Sequence, residues 1–436
     1  KMGLKVLIIG AGNAGPLLAL YLQRAGHNPV IYDLFDPARV AERDVPLYFG
    51  DVGGAITIAT NGQRVLDDAR LLDAARAKGS EPFTTTVFSK IDGSAPVALT
   101  NFSGNRNATN ADGSPAPFYL PFTIMRMHLQ RAVGMACNEA GVKYLLRKKL
   151  VRIEERRDGV TAFFTDGTSD SGDILVGAEG VHSVTRKAVF GDEYKEVFAN
   201  IITHVGITEL GKGKGLNGED LDLDNVLTFF NDRTSNHATA FFKTAPNNSA
   251  WQILEVNLPA PERVEDDWRP VSDLPKESKR LAILLEAWGG MKDHVEIVRA
   301  ARRITSTPLY VFQRLPSFYK GRVVLIGDAA HASLPYLGQG GSMALEDAGT
   351  LGVLLTELGN DWQTAFRLYN QVRMPRVKRV LDQVEIMKNM SNAWYGHFIV
   401  RMIGFAARYL GSLDRITSYD FLDATKAALE KEKTKK

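Results

Sequence analysis

The chain has almost no cysteine: Cys137 stands alone among 436 residues. One thiol excludes an internal disulfide and any multi-cysteine metal site. It lies in MHLQRAVGMACNEAG, a helical pattern, so a packed thiol is expected there and not a nucleophile. Net charge is also scarce. Lys and Arg number 53 against 50 Asp and Glu, a balance of +3, and no arginine-rich face stands out. That argues against a nucleic-acid partner. Long apolar runs are missing too, and none reaches the 18 residues or so of a membrane span. The nearest stretch, Ala393 to Leu410, carries His397, Arg401 and Arg408. It is expected to pack on the body as an amphipathic helix and not to lie on a membrane surface. GxSxG, HExxH and CxxC are absent, so no ready-made nucleophile or metal site is expected. The first strand begins by Leu4, which leaves no room for a signal peptide and implies a cytoplasmic protein. Lys1 before Met2 points to an altered start, so a removed targeting segment stays open.

What is present is globular. Hydrophobic residues make up 44% and charged residues 24%, and the length favours two lobes. LKVLII at 4–9 is a short apolar strand. Gly10-Ala11-Gly12-Asn13-Ala14-Gly15 follows, then a helix to Gly26, then a second apolar strand ending at Asp33. This is the order of a dinucleotide-binding βαβ unit. Gly10 permits a tight turn, Gly12 lets the backbone approach a pyrophosphate, and Gly15 lets helix and strand pack closely. Asp33 is placed to bind ribose hydroxyls. A second such turn lies late, in GRVVLIGDAAHASLPYLGQGGSMALEDA at 321–348. A buried strand from Arg322 to Ile326 breaks at Gly327-Asp328. Pro335, Gly338, Gly340 and Gly341 follow, and a helix is expected from Ser342. Unpaired N–H groups and the dipole at that helix start suit an anionic ligand.

Between these turns the pattern changes. ITIA near 56–59 reads as a strand, and helical periodicity runs from Gln63 to Ala77. NFSGNRNATNADGSPAP at 101–117 reads as a surface loop. Arg126 stands at a strand-to-helix junction. Residues 142–168 read as a strand and a hairpin turning at Asp158-Gly159. Asp173 to Gly180 is another buried strand leaving through glycine. From about 195 to 312 short alternating runs imply an antiparallel sheet with one covered face, followed by helices near 276–288 and 294–301. GKGKGLNG at 211–218 reads as a loop. Helices are expected at 361–382 and 383–410, with a Lys/Glu tail fraying after Lys426. The fold class is α/β: a Rossmann-like dinucleotide-binding domain with an inserted antiparallel-sheet domain and C-terminal helices. The first domain is expected to be discontinuous, at 1–80, 118–194 and 315–382. The sheet domain takes 81–117 and 195–314, and C-terminal helices and tail take 383–436.

Three separated motifs stand together: GAGNAG at 10–15, GAEGVHSVTR at 177–186 and GDAAHASLPYLGQGGSMALEDA at 327–348. The chain resembles the flavin-dependent aromatic hydroxylases, single-component FAD monooxygenases of the para-hydroxybenzoate hydroxylase type, including tetracycline-inactivating and phenazine-modifying members. The resemblance covers roughly residues 4–380. It implies FAD as cofactor and NADPH or NADH as a transient reductant. It also implies O2 as co-substrate, a flavin hydroperoxide as the oxygenating species and hydroxylation of an electron-rich aromatic or polyketide-like small molecule. By position, Gly10, Gly12, Asn13, Ala14 and Gly15 would line the pyrophosphate, and Asp33 the adenosine ribose. Arg126 would contact the cofactor, Gly327 and Asp328 its ribityl chain or pyrophosphate, and Pro335 its ring system. Gly338, Gly340, Gly341 and Ser342 would offer N–H groups to the pyrimidine end. Gly177, Glu179, Gly180 and Arg186 would form the motif serving FAD and NADPH, with Glu179 where the family usually has Asp. His331 is expected to be a loop histidine beside the cofactor and not a general base. Substrate candidates on the sheet are His204, Phe230, His237, Phe241 and Trp251, with Phe229 and Phe242 beside them. Strand alternation can turn only about half of them inward. The flavin would carry the chemistry, so no catalytic side chain is assigned. Two alternatives stay open: a flavin halogenase or epoxidase on the same fold, whose Trp-x-Trp-x-Ile-Pro signature is absent, and a non-catalytic flavin-binding protein.

Overall fold

The structure, a computed structural model, describes residues 3–35, 53–83, 85–94, 97–100, 119–209, 226–231, 237–245, 248–260, 270–391 and 414–435. The surface loop expected at 101–117, the loop at 211–218 and the apolar stretch 393–410 lie outside the described residues.

Lys5–Ile9 sits near the middle of a six-stranded sheet. The order is Tyr319–Lys320, Val323–Leu325, Ile174–Gly177, Lys5–Ile9, Asn28–Asp33 and Lys143–Leu146. All neighbours are parallel except the first pair. Such strands need cover on both faces, and the apolar runs supply it. Val6 and Ile8 point into a core with Leu17, Leu18, Val324 and Leu345, beneath the helices Ala14–Arg24 and Gly340–Leu358. Leu7, Ile9, Val30 and Tyr32 point the other way, onto Leu150, Val160, Ala162 and Phe164. These last four belong to a three-stranded antiparallel sheet, Leu150–Glu155, Val160–Phe164 and Ser169–Gly172. The hairpin expected at 142–168 therefore has a third strand. Its polar sequence, SDSG, carries no apolar alternation to reveal it.

A second sheet of seven strands runs in the order Arg303–Val311, Val197–Glu209, Asn248–Val256, Ala238–Ala245, Val226–Asn231, Thr85–Lys90, Val97–Thr100. Helices Leu274–Ala287 and Lys292–Arg299 cover one face, where Phe241, Trp251, Ile253, Leu281, Leu285 and Val298 form a core. The opposite face meets the first lobe. Val205 crowds Gly54, where an added Cβ would lie 2.7 Å from Val205 Cγ1. Ile201 and Leu254 pack on Leu334, and Arg303 Nη2 donates to Gly53 O at 2.9 Å.

Cys137 is fully buried, its Sγ donating to Pro16 O at 3.1 Å, and burial pushes its pKa up to about 11. Two C-terminal expectations change. Trp362–Ser391 is one helix that runs through Pro375, so the boundary expected at 382 falls inside it. The tail does not fray at Lys426: Phe421–Lys433 is helical. Asp420 caps it, accepting from the N–H groups of Leu422 and Asp423, and Arg64 holds Asp420 at 2.8 Å. Buried Phe421 and Leu429 then anchor a segment whose charge density alone suggests solvation.

Candidate active site

The parallel strands Lys5–Ile9, Ile174–Gly177 and Val323–Leu325 are neighbours, so their C-terminal ends share one edge of the sheet. Gly10, Ala178 and Gly327 follow close behind those ends. Ligands of open α/β sheets bind at this edge.

Two of the three glycines in the first turn are required by their surroundings. Gly10 has φ +110°, and a Cβ there would lie 2.3 Å from Ala178 O. A Cβ on Gly15 would lie 2.1 Å from Gly10 O. Gly12 has no such reason: its nearest neighbour is Arg126 Nη2 at 3.8 Å. Gly340 would meet nothing within 4 Å, and Gly341 only Ile56 Cδ1 at 3.8 Å. These three combine an ordinary φ with no contact closer than 3.8 Å, unlike Gly15, Gly54, Gly62 and Gly177, which are closely packed. Packing among the described residues does not require them, which leaves room for another molecule to approach. Gly338, at φ +58°, makes the turn that leads into the second pair.

The helix starts agree. Asn13 precedes Ala14–Arg24 without capping it, and its Oδ1 is buried with no partner among the described residues. Gln339 precedes Gly340–Leu358, also without a side-chain cap, and neither helix has an acid in its first turn. Two uncapped helix starts beside glycines that no packing explains form a cradle for an extended anion. These residues fit the pyrophosphate and ring of FAD.

Around the cradle, Asp33 Oδ2 accepts from the Ala11 N–H at 2.6 Å and Oδ1 from the Phe35 N–H at 2.7 Å. It braces the glycine turn as well as closing the second strand. Burial raises its pKa against these two bonds. Arg126 opens the helix Arg126–Glu139, its N–H bonded to Gly54 O at 2.9 Å and its stem lying on Gly53. Asp328 is exposed, while its neighbours from Val323 to His331 are buried. Pro335 starts a short turn to Leu337 and is half-buried.

Other predicted residues turn elsewhere. Ser342 is buried, and its Oγ accepts from the Ala59 N–H at 3.4 Å against Gly62. Only its backbone stands at the helix start. Glu179 accepts from Ser183 Oγ at 2.8 Å and from the Thr185 N–H and Oγ1 at 2.9 and 2.6 Å. The extra methylene lets it reach the start of the helix Val184–Phe190. Burial raises its pKa. Gly177 is filled by Leu325 and Thr185 side chains, and Gly180 has φ +79°. Arg186 is fully buried and bonds to Tyr194 O, Ala329 O and Val181 O at 3.0, 3.2 and 2.5 Å, with Phe312 beneath it at 3.8 Å. It ties the middle motif to the late turn from inside.

The substrate candidates need correction. His204 bonds to Ser306 Oγ at 2.8 Å and pairs with Glu255 at 2.8 Å, beside Arg280 of the covering helix. His237 stacks on Trp288 and Phe241 on His294, each at 3.9 Å. Trp251 fills the space over Gly206 and donates to Thr208 Oγ1 at 3.2 Å. All four lie on the helix-covered face, away from the cradle. The Phe229 and Phe230 side chains lie outside the described residues. Phe242 is on the other face, packed with Phe83 and Ala250. Alternation fixes which residues share a face, but the sequence does not say which lobe each face meets. The face toward the cradle carries Thr203, Val205 and Gln252, with Gln252 Nε2 donating to Thr203 Oγ1 at 2.8 Å.

The motif reading also misses a buried ionic cluster. Asp347 Oδ2 accepts from the Gly327 N–H at 2.7 Å and lies 2.6 Å from His331 Nε2, while Arg373 Nε donates to Oδ1 at 2.7 Å. Glu346 accepts from Arg373, Arg376 and Asn61, and Asn61 also donates to Gln339 at 2.9 Å. Glu346, Asp347 and Arg373 are completely buried. Burial opposes the Asp347 charge, but His331 and Arg373 outweigh it and hold the pKa at about 2. His331 is thus a core residue packed on Phe318, where a loop position was expected. Adjacent acids inside the otherwise apolar helix GGSMALEDAGTLGVLL are the signal that could have revealed the cluster. No group of metal-ligating side chains occurs among the described residues.

A family model described as an FAD binding domain matches residues 3–212 and 294–384. A 3-amino-4-hydroxybenzoate 2-monooxygenase of Streptomyces cremeus is 31% identical over 378 residues, 86% of this chain and 85% of the relative. A 6-hydroxynicotinate 3-monooxygenase of Bordetella bronchiseptica is 27% identical over 383 residues, 86% and 89%. Among solved structures, Klebsiella pneumoniae HpxO complexed with FAD and uric acid aligns with a TM-score of 0.72 at 22% identity, covering 95% of this chain and 96% of that one.

Proposed function

Because the chain belongs to the FAD binding domain family, we propose that it hydroxylates a small, polar, electron-rich aromatic compound at the cleft between its two lobes, using NAD(P)H and O2. FAD is its cofactor, and it is a flavin-dependent monooxygenase. The observation that carries the placement is the set of glycines that packing does not explain, Gly12, Gly340 and Gly341, at two uncapped helix starts.

Bound FAD supplies oxygen activation. The chain's own residues bind, orient and exclude water. N–H groups at Gly12 to Ala14 would receive the pyrophosphate, with Asp33 keeping the turn in shape and Arg126 beside Gly12. The exposed Asp328 carboxylate would accept hydrogen bonds from the ribityl hydroxyls. The N–H groups at Gly340 and Gly341 would be offered to the end of the flavin ring that takes up negative charge on reduction. An aligned helix start stabilises such charge by on the order of 1 kcal/mol, and by more in a dry site. Thr203, Val205 and Gln252 form the opposite wall. A hydroxyl and an amide there favour a ring bearing hydroxyl, amino or carboxylate groups. The named relatives act on rings of that kind.

The test is to load the protein with FAD and offer 3-amino-4-hydroxybenzoate, 6-hydroxynicotinate and urate with NADPH or NADH. The reading expects substrate-stimulated reductant oxidation and a product that has gained one oxygen atom or, where the attacked carbon bears a carboxylate, as C3 of 6-hydroxynicotinate does, has exchanged CO2 for a hydroxyl. Binding of FAD with no oxygenated product across a broad polar aromatic panel would favour a non-catalytic flavin protein.

A further inference from the structure

We propose that Asp347 is a positioning residue for the flavin cofactor, acting through Gly327 and His331 on the turn that carries Asp328. The inference rests on the reading that this turn faces FAD. The Asp347 carboxylate uses Oδ2 twice, for the Gly327 N–H at 2.7 Å and for His331 Nε2 at 2.6 Å. Oδ1 takes Arg373 Nε at 2.7 Å. All its partners present donors, and all are buried. Gly327 has φ +61°, and the chain reverses there from the strand into Asp328–His331. Asp347 therefore holds both ends of the five-residue segment Gly327 to His331, in which only Asp328 is exposed. Its neighbour Glu346 reaches the far end of the same loop through Asn61 and Gln339. Packing alone would be served by an apolar side chain. A carboxylate with three donors instead fixes the orientation of the Gly327 peptide, and with it the direction of Asp328.

The test compares FAD affinity with apo-protein stability. Asp347→Asn keeps the volume but turns an NH2 group toward a donor on one side. It is expected to weaken FAD binding roughly tenfold or more and to change the visible circular dichroism of bound FAD. Asp420→Ala is the comparison: it removes the cap of Phe421–Lys433 and the partner of Arg64 but touches neither glycine-rich turn. It is expected to lower apo stability while FAD affinity stays within about twofold. If Asp347→Asn fails to fold, His331→Gln removes one bond and keeps the carboxylate, with an expected loss of about threefold. Unchanged FAD affinity and dichroism in these Asp347 and His331 variants would overturn the proposal. So would equal losses in Asp420→Ala at matched stability. A wild-type protein that takes up no FAD would instead overturn the functional reading itself.

Discussion

The two glycine-rich turns reach the same sheet edge by different means. The first is six residues long and is held by short-range sterics. Gly10 and Gly15 admit backbone atoms that a Cβ would strike, and one carboxylate, Asp33, braces the loop at Ala11. The second, from Gly327 to Gly341, is too long for glycine geometry to define. Four buried charges from two helices, Glu346 and Asp347 against Arg373 and Arg376, hold its ends. Short turns can be specified by the residues inside them. A long one needs fixed groups behind it, and buried groups must be fully paired.

The comparison predicts where each turn breaks. The largest effect belongs to the second. Arg373→Met would leave Glu346 and Asp347 buried with too few partners, costing about 3–5 kcal/mol in denaturant unfolding. In the first turn, Gly15→Ala would force a Cβ to within 2.1 Å of Gly10 O. That costs about 1–3 kcal/mol or more, with FAD binding lost alongside. Asp328→Ala separates position from stability. Its exposed carboxylate contributes little to folding, so FAD affinity should fall while the apo melting temperature holds; the reverse would remove Asp328 from the site.

Acid offers a further way to sharpen the contrast. The folded pKa of Asp347 is about 2, below the unfolded value of about 3.9. Its contribution is fully present above pH 4 or so and is lost as pH falls toward 2. Unfolding of the wild type should steepen across that window, and Asp347→Asn should flatten the dependence. The smallest effect is expected on the opposite wall. Thr203→Val should alter discrimination among polar aromatic ligands, read as flavin spectral shifts, and leave FAD affinity alone.

The sequence reads these regions unequally. The first turn is legible because strand, glycines, helix and Asp33 lie within 30 residues or so, where local spacing is structure. The Gly12 assignment rests on the same spacing. Asp347 and Arg373 lie on different helices, and nothing in either helix announces the other. The sheet lobe fails in a different manner. Its strands are legible by alternation, but His204, Phe241 and Trp251 read equally well on either face until the helices Leu274–Ala287 and Lys292–Arg299 are placed. Glu179 departs from the usual aspartate, and its reason, a bond to the start of Val184–Phe190, appears only in three dimensions.

Gly12 is proposed to be glycine for the cofactor and not for the fold. Titration of FAD into Gly12→Ala apo-protein tests it most directly, beside a thermal melt of the same sample. The expected result is an unchanged melting temperature with FAD affinity reduced by roughly tenfold or more. Wild-type FAD affinity in Gly12→Ala, or a melting temperature lowered as far as that of Gly15→Ala, would contradict it.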